Sequence, residues 1–197
     1  MKKTRVKQVV ALSLSASLLI TGFTTVARVQ AESSDDQTES SASQEVSLSP
    51  LAESLETALE LFGEEFPEAE LTEIDIDLEK EGHYDIQLHG QDSEHDYELE
   101  YDTEKAAVTD LETDRDKDKE RALPLDELLS VDEISELALA EAGFGQITEW
   151  NLEWEDDSDD SAQLYWEIQI EEADSDREVT IDIEALTGEI LNVEHDD

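Results

Sequence analysis

The 197-residue chain contains no cysteine. That absence removes disulfides, thiol nucleophiles and thiolate-ligated zinc. It also removes the acylated cysteine on which a bacterial lipoprotein anchor is built. Basic residues are scarce, with 12 Lys+Arg against 56 Asp+Glu and a formal net charge of -44. Five of the twelve lie in the first 31 residues, which hold no acid, so the remainder carries seven basic residues against 56 acids, a formal charge of -49. Such a surface cannot replace the counterions of a nucleic acid, and an anionic membrane repels it. Neither is expected as a partner. The seven glycines form no phosphate-cradling loop, and the four histidines stand near no serine in a nucleophile-elbow context, so nucleophilic catalysis lacks its parts. No acid interrupts an apolar face as a glycosidase acid with a raised pKa would. The sequence therefore reads as non-enzymatic. Its acid excess favours solubility, bound cations or a basic partner.

What is present falls into segments. Residues 1–31 have a basic start at Lys2, Lys3, Arg5 and Lys7, an apolar stretch from Val9 to Ile20, and Val29-Gln30-Ala31 at the end. This is the pattern of a secretory signal peptide, with an N-terminal membrane anchor as the alternative. Residues 32–48 are Ser- and acid-rich and too polar to bury a core, so they read as a disordered tether. Module 1 spans 49–112, a charged linker 113–123, and module 2 spans 124–197.

Module 1 opens with Ser49-Pro50, an N-cap followed by proline at the first helical position. Leu51, Leu55, Ala58, Leu59 and Phe62 then recur at helical spacing, and Gly63 and Pro67 are expected to end the helix. From Leu71 to Glu79 apolar and acidic residues alternate, so Ile74, Ile76 and Leu78 face one way and Glu73, Asp75, Asp77 and Glu79 the other. Tyr84, Ile86 and Leu88 face inward on a second strand, and Tyr97, Leu99 and Tyr101 on a third. Val108 and Leu111 belong to a short fourth. Module 2 repeats the plan, with a capping box at Ser130 and Glu133, a helix face of Ile134, Leu137, Ala138 and Ala142, and Gly143 as the stop. Ile147–Glu155 matches Leu71–Glu79 at an offset of 76. Farther on the offset is 82, placing Ile86-Gln87-Leu88 under Ile168-Gln169-Ile170 and Val108 under Ile190. The fold class expected is α+β: two tandem modules, each a helix packed on a curled antiparallel sheet of three to four strands.

The second copy carries Ala138-Leu139…Gly143, Thr148-Glu149, Tyr165-Trp166-Glu167-Ile168 and the closing Glu184-Ala-Leu-Thr187-Gly188-Glu189-Ile190. The first carries Ala58-Leu59…Gly63, Thr72-Glu73, Tyr84-Asp85-Ile86 and Asp102…Ala106-Ala107-Val108, without the Thr-Gly pair. This ordered set resembles the PepSY domain. The resemblance implies an exported or cell-envelope protein that binds and regulates, restraining a secreted or envelope peptidase or engaging another basic protein surface. It supplies no catalytic or binding residues. The chain has no His-Glu-x-x-His, so any inhibition would be exerted as a separate chain. The reading from another class is an acidic cation-binding or surface-adaptation protein without a dedicated protein partner.

Candidate sites follow from the charge pattern. No cofactor is expected and no metal site is firm. Asp156, Asp157, Asp159 and Asp160 offer a weak cation site, with calcium the natural ion, but lack the glycine and distant glutamate of an EF-hand loop. His83, His89 and His95 are spaced by six, the first two outward and the third inward, and so do not converge as ligands. Glu73, Asp75 and Asp77, beside Glu98 and Glu100, set like charges opposite one another on neighbouring strands, which destabilises a sheet. A basic partner would relieve them, so this face is the expected docking surface.

Overall fold

The computed structural model describes residues 49–115, 120–155, 162–173, 175 and 177–196. The signal peptide, the tether and the cation candidates Asp156, Asp157, Asp159 and Asp160 lie outside the described residues.

Helix α1 (Pro50–Glu65) starts where expected, with Ser49 Oγ accepting the Ala52 N–H at 3.1 Å. It buries Leu51, Leu55, Ala58 and Phe62. It does not stop at Gly63. A helical glycine costs about 1 kcal/mol but breaks no hydrogen bond, whereas Pro67 bars helical geometry at Phe66, whose φ of -124° ends the run. Helix α2 (Val131–Ala142) has the capping box of Ser130 and Glu133 and ends on Gly143 in the left-handed conformation, φ 69°.

The strands are β1 (Glu70–Leu78), β2 (Tyr84–Gln91), β3 (Asp96–Asp102) and β4 (Ala107–Asp114), then β5 (Gln146–Trp154), β6 (Leu164–Glu171), β7 (Glu178–Glu184) and β8 (Ile190–Asp196). They form a single antiparallel sheet in the order β4-β3-β2-β1-β5-β6-β7-β8. The expected separate sheets are thus one. Left apart, β1 and β5 would each present a row of unpaired backbone groups; paired, they satisfy each other from Ile74↔Leu152 to Asp77↔Glu149. One apolar core runs beneath, from Ile74, Ile76, Ile86 and Leu88 through Trp150 and Leu152 to Trp166, Ile168 and Ile181. The helices cover that face and touch each other, with the Ser49 N–H donating to Asp132 Oδ2 at 3.1 Å. Trp150 and Trp166 are 5% and 2% exposed, each worth about 1.5–3 kcal/mol of burial. Trp150 Nε1 donates to Ser135 Oγ at 2.9 Å. Trp154 is only half-buried and carries the Arg121 guanidinium 3.8 Å above its ring.

The alternation is interrupted four times, and the interruptions match between the halves. The pairing slips between Leu71 and Glu73 in β1 and between Ile147 and Glu149 in β5, which makes Thr72 and Thr148 bulge residues. It slips again opposite Glu100/Tyr101 and Asp182/Ile183, bulging Thr109 and Leu191. A bulge adds one residue to one strand. Two apolar residues three apart then face the same way, as Leu71 and Ile74 do, and Val108 and Leu111.

The pairing also corrects the sequence offset in one strand. Glu73 pairs with His89, and Glu149 with Gln169, so β2 corresponds to β6 at an offset of 80, not 82. Ile86 therefore matches Trp166, and Leu88 matches Ile168. A slip of two leaves every side chain on its own face, so hydrophobic pattern alone does not detect it.

Candidate functional site: the acidic face of the sheet

The face opposite the helices is built from the outward residues of all eight strands, brought into rows by the register. One row runs Glu112, Glu98, His89, Glu73 from β4 to β1. The next runs Asp110, Glu100, Gln87, Asp75, Asn151, Glu167, Asp182 and Asn192 across the whole sheet. A third runs Asp102, Asp85, Asp77, Glu149, Gln169, Thr180 and Glu194. All five partner-face residues, Glu73, Asp75, Asp77, Glu98 and Glu100, stand on this face. The histidines do not converge: His83 precedes β2, His95 sits in the β2–β3 turn against Asp92, and His89 alone is on the outer face.

The rows differ in how they relieve like charge. In the second, amides stand between acids. Asn151 Nδ2 donates to Glu73 Oε1 at 3.2 Å and also to Asp75 Oδ1. On the other side of Asp75, His89 Nε2 lies 3.4 Å from Oδ2. That contact raises the imidazole pKa, helped by the charges of Glu73 and Glu98. Glu73, Asp75 and His89 each bring one donor atom to within 4.8 Å of the others. The third row sets four acids in succession, Asp102, Asp85, Asp77 and Glu149. Burial first, then the charges of Glu100, Asp102, Asp77 and Glu79, push the Asp85 carboxyl from 3.8 up to about 6. Its Oδ1 is buried without a hydrogen-bond partner. Asp77 and Glu149 are also raised, by burial and then by Asp75 and Asp77 respectively. Asp102 is lowered instead, because the Lys105 ammonium and backbone N–H both donate to it.

The closing turn of the second half is held by the Glu184 side chain. Glu184 Oε2 accepts the N–H groups of Leu186 and Thr187, at 3.1 and 2.6 Å, and Gly188 takes φ 75°. In the first half Asp102 holds the corresponding turn, and Ala106 takes the positive-φ position at 48°.

Residues 128–194 match the family described as "Peptidase propeptide and YPEB domain", PepSY. The chain contains a PepSY domain. Among solved structures, a "putative lipoprotein" from Clostridium difficile 630 is similar at 19% identity and a TM-score of 0.60, over 72% of this chain and 92% of that one. At that identity the likeness shows the fold alone. No curated protein matches. The PepSY domain holds α2 and β5–β8, with the Glu184–Glu189 turn as its closing corner. Glu73, Asp75, Asp77, Asp85, His89, Glu98 and Glu100 lie before it in the chain, on strands that extend its sheet. Asn151 is the PepSY residue that reaches across to them. The sequence reading missed it because nothing local in either strand says that β1 and β5 pair.

Proposed function

We propose that the protein is an exported, non-catalytic binding and regulatory protein of the cell envelope, which docks its acidic sheet face on a basic surface of a peptidase and restrains it. The observation that carries this reading is the continuous eight-strand carboxylate face, left open because both helices cover the opposite side. The PepSY domain at 128–194 supports a regulatory or propeptide-like role, and the likeness to a "putative lipoprotein" supports the envelope. Among the described residues no helix is long and apolar enough to cross a membrane. We read the two halves as tandem copies of one module; the matched bulges at Thr72/Thr148 and Thr109/Leu191, and a strand order that mirrors about the β1–β5 joint, support it.

The test is to incubate the protein with secreted peptidases of its host and follow cleavage of a generic substrate. Slower cleavage is expected, restored by raising salt, which screens exposed charges beyond about 3 Å at 1 M, and by Glu98→Gln with Glu100→Gln. Unchanged rates with every peptidase would sink the inhibitory reading. The cation-binding alternative draws on the Asp102–Asp85–Asp77–Glu149 row. A calcium titration that binds several ions and raises the melting temperature would favour it.

A further inference from the structure

The geometry points to a divalent transition-metal site at Glu73, Asp75 and His89, holding a zinc-class ion with two carboxylates and one imidazole across β1 and β2. The ladder positions the donors. Glu73 and His89 are directly opposed, and Asp75 lies two residues along β1 on the same face. Zinc–ligand bonds of about 2.1 Å place tetrahedral ligands roughly 3.4 Å apart. The His89 Nε2 to Asp75 Oδ2 separation is already 3.4 Å, and all three donor atoms fall within 4.8 Å. Closing the set asks the separations to Glu73, none above 4.8 Å, to shorten to about 3.4 Å. Asn151 completes the surroundings. Its amide nitrogen donates to both carboxylates; turned end for end, the same amide would offer an oxygen ligand instead.

The ligand chemistry selects the ion. Two carboxylates balance a 2+ charge, and imidazole suits zinc, cobalt, nickel and copper over calcium and magnesium. The molecule contains its own control. In the second half the corresponding positions are Glu149, Asn151 and Gln169, equally acidic in surroundings but without the nitrogen ligand and one carboxylate. The fold itself therefore does not require the cluster. On its other side His89 lines an open cleft of about 400 Å³ with Glu98 and Arg115. This proposal stands apart from the docking reading, since the ion would bind whether or not a peptidase does.

The test uses the full chain, freed of metal with chelator, in 0.15 M NaCl with millimolar magnesium to occupy diffuse carboxylates. Zinc, cobalt(II) and calcium are titrated by calorimetry, and cobalt by its visible spectrum. The expected result is one equivalent of zinc or cobalt bound at least a hundredfold more tightly than calcium. His89→Gln and Asp75→Asn should each weaken it at least tenfold. His95→Gln and Glu194→Gln, the latter removing equal charge at the far end of the sheet, should leave it within twofold. Zinc bound no more tightly than calcium in the unaltered protein would overturn the proposal, whatever the variants do. So would equal weakening by Asp75→Asn and Glu194→Gln in chains with unchanged circular dichroism, since equal loss from equal charge is the signature of a diffuse field.

Discussion

In the second half of the sheet Tyr165 stands between Glu153 and Glu184 and donates its hydroxyl to Glu153 at 2.9 Å. In the first half the same place is held by Asp85, between Asp77 and Asp102. One half puts a donor between two acids; the other puts a third acid there, with a buried oxygen that nothing satisfies. Asp85 and Tyr165 both stand on the outer face, so the difference is one of surface charge. Stability would be better served by the tyrosine. The first half therefore keeps a row of charge that costs the fold and that a cation or basic partner would relieve.

The largest expected effect comes from forcing the halves to be alike inside the core. Gly90 of β2 corresponds to Ile170 of β6. A Cβ at Gly90 would sit 2.7 Å from both Phe62 Cζ and the Glu70 carbonyl oxygen. Gly90→Ile is expected to cost about 2–3 kcal/mol, read as a lower urea midpoint with an unchanged slope. A neutral result would mean that α1 does not lie on β2 as described. Next, the turns: Gly188→Ala should lose about 1–2 kcal/mol from its positive φ alone, and its Cβ would also press on Leu137 Cδ1 at 2.7 Å. Ala106→Gly, at the matching position, should gain about 1 kcal/mol. If both changes destabilise, the two turns are not equivalent.

The smallest effect is electrostatic and has a pH signature. The folded state holds the Asp85 proton up to about pH 6, against 3.8 ordinarily. The stability this contributes is fully present below about pH 4 and is lost as pH rises through about 6. Asp85→Asn should therefore gain about 1 kcal/mol at pH 7 and low salt, after allowance for solvent screening, and nothing at pH 4. Urea melts at the two pH values decide it, and an equal gain at both would show that charge is not the cause.

Much of this was legible in the residues. Period-two alternation located the strands and their acidic side, and Ser49, Ser130 and Gly143 marked helix ends by chemistry that acts within a few residues. The bulges were missed, because Leu71–Glu79 reads as one alternating run, although apolar pairs three apart such as Leu71 and Ile74 carry their signal. What also escaped was anything set by partners distant in the chain. The β1–β5 joint has no local signature, so the single sheet and the reach of Asn151 did not show. The meeting of His89 with Glu73 needed the register of one hairpin. Leu78 and Tyr84 closing around residues 79–83 would have supplied it.

The joint has a consequence for how the chain assembles. Every other strand pairing lies within a hairpin, whereas β1 and β5 pair residues 72 to 78 positions apart, Asp77 with Glu149 and Ile74 with Leu152. Near contacts form early, and closing a long loop comes at an entropic cost that delays the rest. A chain made from its N-terminus completes the first meander while β1 still has a bare edge, a template for any stray strand. Asp75 and Asp77, spaced along that edge, repel such strands until β5 arrives with an asparagine to meet Asp75. The same charges that mark the outer surface thus also guard the chain while it is half made.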